Sequence, residues 1–326
     1  MRLLPYAILM YQKTSKRISF RLKLIILNIL KYYKNFNPEK QILIFSDPRG
    51  GSTWLAEMIN TIPKTAVIWE PLNIREVKIV KKLGFGWRQY IPENQSWPEA
   101  DLVVRKLFAG KVVNEWIMLN TSVKDYFTAK QLIIKICRGN MLLPWITNQI
   151  NFRLSPIYMI RHPFAVVSSQ MKQGGWNSPF KKFEVPDIPY NEIYIKHQDY
   201  MASLSTKEEI LTAYWCLTNL VALSHHNNNK RWITLYYENL LLDPEKEIRR
   251  IFKRWEIQFP YNIRNKYRKM SRTTLSDNRI ENPKVQLARW RKEFNRSQLK
   301  KMSKILEYFD IRHYSAKDEM PKVNFP

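Results

Sequence analysis

The sequence predicts an α/β domain with a central parallel sheet flanked by helices. Short runs of branched and aromatic residues recur along the chain, separated by stretches with helical apolar spacing. Two of those runs end in sharp corners that open straight into helices, the pattern of a sheet covered on both faces. At 326 residues and 45% hydrophobic, the chain could bury its core as one large domain or two smaller ones. With no internal repeat or low-complexity tract to divide it, one domain is the expectation.

The first strand is Ile42 to Ser46. Pro48-Arg49-Gly50-Gly51 turns it into a helix whose apolar residues Trp54, Leu55, Met58 and Ile59 recur at helical spacing. Two adjacent glycines let backbone N–H groups approach an anion, and the helix start adds free N–H groups and the positive end of its dipole. Arg49 contributes a permanent charge, and Ser52 and Thr53 contribute hydroxyl donors. The stretch reads as strand, phosphate loop, helix. A plain tight turn is the alternative, since a glycine pair alone is weak evidence. No GxxxxGK[ST] is present, which argues against a Walker-type nucleotide triphosphatase.

Thr65 to Trp69 is the second strand and ends on Glu70-Pro71-Leu72, a carboxylate where α/β sheets bind ligands. From Ile74 to Thr121 the spacing predicts short helices around Ala100 to Leu107 and Val112 to Leu119. The aromatics Phe85, Trp87, Tyr90, Trp97 and Trp116 there are core residues or an acceptor platform. Gln131 to Ile136 is the third strand, interrupted only by Lys135. Ser155 to Ile160 is the fourth, running into Arg161-His162-Pro163 and a helix over Phe164 to Lys172. Gly174 to Tyr200 is loop-rich, an acceptor-side lid or a surface excursion. A long helix over Leu211 to Ser224 precedes the fifth strand, Arg231 to Leu235, and Asp243 caps a helix that Pro244 opens.

Charge narrows the partners. The 54 Lys and Arg against 28 Asp and Glu leave a formal charge of +26, which suits an anionic cofactor, an acidic substrate, nucleic acid or an anionic membrane surface. No RNP, KH or zinc pattern supports nucleic acid. Residues 1–38 form a basic amphipathic segment, and Leu24 to Leu30, the apolar piece between Lys23 and Lys31, is far short of the ~20 residues a bilayer span needs. Charges also interrupt any secretory h-region. Two readings stay open: a helix resting peripherally on an anionic membrane, or one packed on the domain with a solvated basic face. Cys137 and Cys216 are too few for a disulfide framework, so a reducing, cytoplasmic setting is expected. His225 and His226 have no Cys or carboxylate at matching spacing, so no metal site is expected.

On these residues the chain resembles sulfotransferases that use 3′-phosphoadenosine 5′-phosphosulfate (PAPS), with the likeness covering about Gln41 to Phe309. The Pro48 to Trp54 stretch resembles the family's 5′-phosphosulfate loop, and Arg49 stands where carbohydrate-type members usually carry Arg. Glu70-Pro71-Leu72 is similar to a Glu-Pro-Leu of those same members. Lys135 to Pro144, KICRGNMLLP, resembles the KTHLPxxLLP of cytosolic members, with Lys135 on the family's lysine and Cys137 in place of the catalytic histidine. An unperturbed thiol is a poor base at neutral pH, which moves the expectation for the base to Glu70. Arg161 and Ser169 match the spacing of the family's 3′-phosphate site. His162 stands where Asp or Asn is commoner, as a supporting hydrogen-bond group or a solvent-facing residue.

The resemblance further implies that Tyr237 lies near the adenine, with a core tyrosine as the alternative, and that Arg289, after the polar loop Thr273 to Lys284, closes over the 3′-phosphate. It implies a P-loop-like sulfotransferase fold over residues 39–315 with a short tail at 316–326. The implied donor contacts are Arg49, Gly50, Gly51, Ser52, Thr53, Trp54, Arg161, Ser169, Tyr237 and Arg289. The implied reaction moves a sulfuryl group to an acceptor hydroxyl, on a glycan or glycolipid, with Glu70, Arg49 and Lys135 as catalytic groups. The alternatives are a kinase of related topology, which the missing Walker lysine counts against, and a non-catalytic basic membrane- or RNA-binding protein.

Overall fold

The computed structural model describes residues 4–173, 183–267, 269 and 282–322, with side chains from residue 18 onward. Five strands form one parallel sheet: β1 (Ile42–Ser46), β2 (Thr65–Trp69), β3 (Gln131–Cys137), β4 (Ile157–Ile160) and β5 (Ile233–Tyr236). Their order is β2-β3-β1-β4-β5. Every strand residue except Gln131 is buried, as expected when helices cover both faces and side chains point alternately to each. Leu43, Phe45, Ile134 and Tyr158 face one apolar cluster, shared with the helices Pro98–Phe108, Pro163–Met171, Lys207–Leu223 and Arg296–Tyr308. Ile42, Ile44, Ile133 and Met159 face the other, covered by the helices Ser52–Ile59 and Pro244–Trp255.

This strand order positions the site. From β1 the chain moves out past β3's place to β2, returns to β3, then crosses β1 to β4 and β5. The connections leaving the carboxyl ends of β1 and its neighbours therefore diverge, and the crevice they leave is where such sheets bind ligands. The single α/β sheet domain matches the expected fold class.

Two elements differ from expectation. Val112 to Leu119 forms turns, not a helix: Asn114 Oδ1 accepts from Ile117 N at 2.8 Å, and Ile117 O accepts from Trp69 N at 3.0 Å. A side chain bonding its own backbone competes with the helix there, and the next carbonyl is taken by the sheet edge. The long helix begins at Lys207, earlier than expected, because Thr206 and Glu209 form a capping box. The first helix, Leu4–Tyr33, packs through the fully buried Leu27 and, from residue 18 onward, exposes Ile18, Leu22, Ile25 and Ile29 together with Arg21.

Candidate active site

The phosphate loop is held from three sides. Gly51 caps the helix Ser52–Ile59 in the left-handed region (φ 99°), and a Cβ there would meet Tyr237 Cδ2 at 2.6 Å. Glycine is what lets the loop lie against that ring. Gly50 N–H donates to Asp47 O at 2.9 Å, so this amide closes the turn, and the N–H groups of the first helical turn, Ser52 and Thr53, remain for an anion. Gln170 Nε2 ties Pro48 O to the helix Pro163–Met171 at 3.0 Å.

Two motifs far apart in sequence meet at Arg49. Its Nε donates to Ser169 Oγ at 3.0 Å, and Arg161 Nη1 donates to Arg49 O at 3.1 Å. The Arg161 guanidinium lies 4.4 Å from the Tyr237 ring centre, and its Nε is buried with no hydrogen-bond partner. Burial, then the Arg161 charge, lowers the pKa of Arg49 from its ordinary value. Two guanidinium groups held this close cost energy that a bound anion would offset. Tyr237 is buried and accepts from Gln286 Nε2 at 2.8 Å. Arg289 is exposed just beyond the helix Pro283–Ala288 that carries Gln286, and its charge reaches Tyr237. Trp54 sits in the core at 6.1 Å from the Tyr237 ring, with its Nε1 donating to Lys266 O at 3.3 Å. Its indole N–H is thus already used.

A second group of side chains lines the carboxyl ends of β2 and β3. Lys135 Nζ donates to Glu70 Oε1 at 2.6 Å and lies 3.2 Å from Cys137 Sγ, which in turn is 3.8 Å from Ser52 Oγ. A continuous polar chain therefore runs from the phosphate-loop helix to Glu70. Burial pushes the Glu70 carboxyl up, but the Lys135 charge and the hydrogen bonds from Lys135 and Cys137 outweigh it, and the net pKa is lowered. Burial also opposes the charge on Lys135, and Cys137 and Glu70 beside it raise its pKa above the usual lysine range. The Cys137 thiol is pushed up to about 11, by burial first and then by the Glu70 charge. It is a protonated thiol at neutral pH.

Sequence reasoning left His162 open, and the structure closes the solvent-facing reading. The ring is buried and stacks on Trp290 at 4.6 Å. Nδ1 accepts from Phe164 N at 3.2 Å, so Nε2 carries the proton that it donates to Ser315 O at 3.1 Å. Burial lowers its pKa to about 4. Both nitrogens are committed to the fold.

Several residues were not singled out from sequence. Asp47, buried behind the loop, accepts from Asn219 Nδ2, and Asn219 Oδ1 accepts from Asn140 Nδ2 (3.0 Å) and Tyr158 O–H (2.6 Å). Burial raises the Asp47 pKa to about 6 against the charges of Arg88 and Arg138. Arg138 lies 4.6 Å and Arg75 5.6 Å from the Trp87 ring, and Arg88 lies 5.0 Å from the Tyr214 ring. Arg138 directly follows β3, so a strand-end reading could have found it. The described end of the expected lid packs here too, with Gln89 Nε2 donating to Pro189 O at 2.6 Å. Its residues 174–182, and the polar loop up to residue 281, lie outside the described residues. The His pair meets a carboxylate from elsewhere: His225 Nε2 is 3.2 Å from Glu93 Oε2, while Arg231 Nη1 donates to Glu93 Oε1 at 2.8 Å.

The family model for the sulfotransferase domain matches residues 39–318. This chain belongs to the sulfotransferase domain family. It is an enzyme of that class, and the sheet and loop above are the P-loop-like fold of the family. Among solved structures, the sulfotransferase domain of the Synechococcus PCC 7002 olefin synthase is 18% identical, covering 85% of this chain and 96% of that one, with a TM-score of 0.45. The sulfotransferase domain from the curacin biosynthetic pathway is 15% identical over 83% of this chain and 97% of that one, TM-score 0.44. Mouse sulfotransferase SULT7A1, complexed with PAP, is 14% identical over 83% and 84%, TM-score 0.43. No curated protein matches the chain in sequence.

Proposed function

We propose that this sulfotransferase takes PAPS as donor and moves its sulfuryl group to a hydroxyl of a glycan or glycolipid, with Glu70 as the base. The observation that carries the reading is the convergence of Arg49, Ser169 and Arg161 on the phosphate loop, joined through Ser52, Cys137 and Lys135 to Glu70. The unpartnered Arg161 Nε and the close glycine cradle fit a phosphate-bearing group. When bound, the donor supplies a sulfur whose bond to the 5′-phosphate oxygen breaks as the acceptor oxygen attaches.

The chain's own residues do the rest. Arg161 and Ser169 hold the 3′-phosphate, and Tyr237 lies against the nucleoside. Arg49 and the first-turn N–H groups bind the oxygens of the 5′-phosphosulfate end, where charge builds on the leaving side. Glu70, ionised at neutral pH, takes the acceptor's proton, and Lys135 keeps it oriented and charged. Arg75, Arg88 and Arg138 gather around Trp87 and Tyr214 beyond Glu70, which supports an acceptor that carries negative charge. The two cysteines are buried free thiols, in keeping with a reducing compartment.

The test separates donor binding from chemistry. Adenosine 3′,5′-bisphosphate should raise the melting temperature of the protein well above what an equal concentration of another polyanion does. Glu70→Gln keeps the shape and removes the proton acceptor, so kcat should fall by at least about 100-fold with little change in bisphosphate affinity. Unchanged kcat in Glu70→Gln would remove the base assignment while leaving the donor site standing.

A further inference from the structure

The first helix carries a stripe that the catalytic reading does not use. Ile18, Leu22, Ile25, Ile29 and Tyr32 are 55%, 55%, 57%, 54% and 79% exposed. They recur at alternating steps of four and three, so the four aliphatic residues form one continuous line, ending on Tyr32, along the side opposite the buried Leu27. Single exposed apolar residues are ordinary, but an unbroken row on one element marks a surface that something covers.

The helix is fixed in direction against the sheet. Lys23 Nζ donates to Met118 O at 2.6 Å, beside Ile117, whose carbonyl accepts from Trp69 N at the carboxyl end of β2. Further on, Lys111 Nζ donates to Lys31 O at 2.9 Å, and Lys34 Nζ donates to Ala129 O at 3.0 Å, near the amino end of β3. The helix thus runs against the strands, with its Lys23 end at the level of Glu70.

Charge identifies the occupant. Steps of four and three would also suit a coiled-coil seam with a second copy. Residues 1–38, however, hold eight Lys and Arg and no Asp or Glu, so a second copy would bring like charges alongside with no carboxylate to pair. The whole chain's +26 opposes self-association in the same sense. An anionic lipid surface answers both features, accepting the apolar row among its acyl chains and the exposed Arg21 at its headgroups, with no like-charged partner to repel the segment. Tyr32 and Tyr33, both exposed at the end of the helix, are residues that favour that boundary. No helix among the described residues is long and apolar enough to cross a membrane, so the attachment is lateral.

We infer that the Ile18–Tyr32 stripe is a docking surface that lays the first helix along an anionic membrane. Docked this way, the Glu70 end of the sheet sits beside the lipid surface, within reach of an acceptor tethered there. That last step alone rests on the sulfuryl-transfer reading; the docking does not.

The experiment is flotation of the full chain with phosphatidylcholine vesicles, with and without phosphatidylglycerol, alongside Ile25→Ser/Ile29→Ser and a melting curve for each protein. The side chains are exposed, so the double variant should melt as the parent does. The inference expects binding to the phosphatidylglycerol vesicles, with apparent affinity at least about tenfold weaker in the double variant, as loss of two half-buried aliphatic side chains implies. Equal binding by parent and variant would overturn it, leaving the basic surface of the main domain as the attachment. So would an unlipidated dimer that the double substitution converts to monomer with lipid binding unchanged, since the stripe would then belong to a second copy. Should the double variant melt early, Arg21→Gln on the exposed edge of the same helix replaces it, and salt-insensitive, unweakened flotation of that variant counts against docking.

Discussion

Arg161 touches two unlike groups, the carbonyl of Arg49 and the ring of Tyr237, and its buried Nε has no hydrogen-bond partner. A buried donor left unmade costs on the order of 1–3 kcal/mol, which the proposed 3′-phosphate would offset. Losing a charged phosphate contact costs about 2–3 kcal/mol. Arg161→Ala should therefore weaken adenosine 3′,5′-bisphosphate binding by roughly 30- to 150-fold at constant salt, measured by calorimetry; unchanged affinity in a folded variant would remove the 3′-phosphate assignment. Cys137 is a contrasting case at the same scale. Its thiol, at about 11, stays protonated at neutral pH and cannot serve as base, so its part is to hold Lys135 and Glu70. Cys137→Ser should retain kcat within about tenfold of the parent. If Glu70 is the base, as proposed, the acid limb of kcat in the parent should fall below the ordinary carboxylate range, because Lys135 and Cys137 hold the Glu70 pKa down.

Among elements, the turn between β1 and its helix leaves little room for substitution. Gly51 has φ 99° and a Cβ there would sit 2.6 Å from Tyr237 and 2.9 Å from Met159 Cε. Gly51→Ala should cost about 1–3 kcal/mol in urea unfolding and should also weaken bisphosphate binding, because the ring that must give way is the one beneath Arg161. A stable variant with parental affinity would show that the loop has room. The same element explains why so much was legible beforehand. β1 and β2 fall on the expected residues because buried parallel strands are continuous apolar runs, and glycines, prolines and caps punctuate them locally. Val112 to Leu119 was misread because apolar spacing says nothing of Asn114 bonding Ile117 N or of Trp69 claiming Ile117 O. Asp47, Asn219 and Glu93 were invisible for a related reason. Each matters through a partner distant in the chain, and no spacing rule announces that Asn219 reaches Asp47 or that Glu93 reaches His225. Nor does one-dimensional apolar patterning tell which side of the first helix Leu27 turns inward.

Across the whole molecule, the ends of β4 and β5 and the C-terminal segment are locked by one buried carboxyl. Glu238 Oε1 accepts from His162 N at 2.8 Å, Oε2 accepts from Tyr314 O–H at 2.9 Å, and His162 Nε2 donates to Ser315 O. Burial, outweighing those hydrogen bonds and the Arg161 charge, raises the Glu238 pKa from 4.5 to about 7. Between those values the folded protein holds a proton that the unfolded chain has released, so stability from this group is present below the unfolded value and is lost as pH rises through about 7. His162, lowered from 6.5 to about 4, acts in the opposite sense: the unfolded chain binds the extra proton, and stability rises with pH across that window. The two slopes oppose each other until His162 is neutral in both states, which leaves Glu238 dominant of the pair from about 6.5 upward. Glu238→Gln isolates its contribution, since a neutral amide can accept from His162 N and donate to the Tyr314 oxygen in any buffer. The unfolding free energy of Glu238→Gln relative to the parent should therefore climb by up to about 3 kcal/mol between pH 5 and pH 8, read from urea melts at unit intervals. A difference that stays flat over that range would mean that Glu238 does not titrate there, and that the carboxyl between β4 and the C-terminal segment is held ionised by its two hydrogen-bond donors, His162 N–H and Tyr314 O–H.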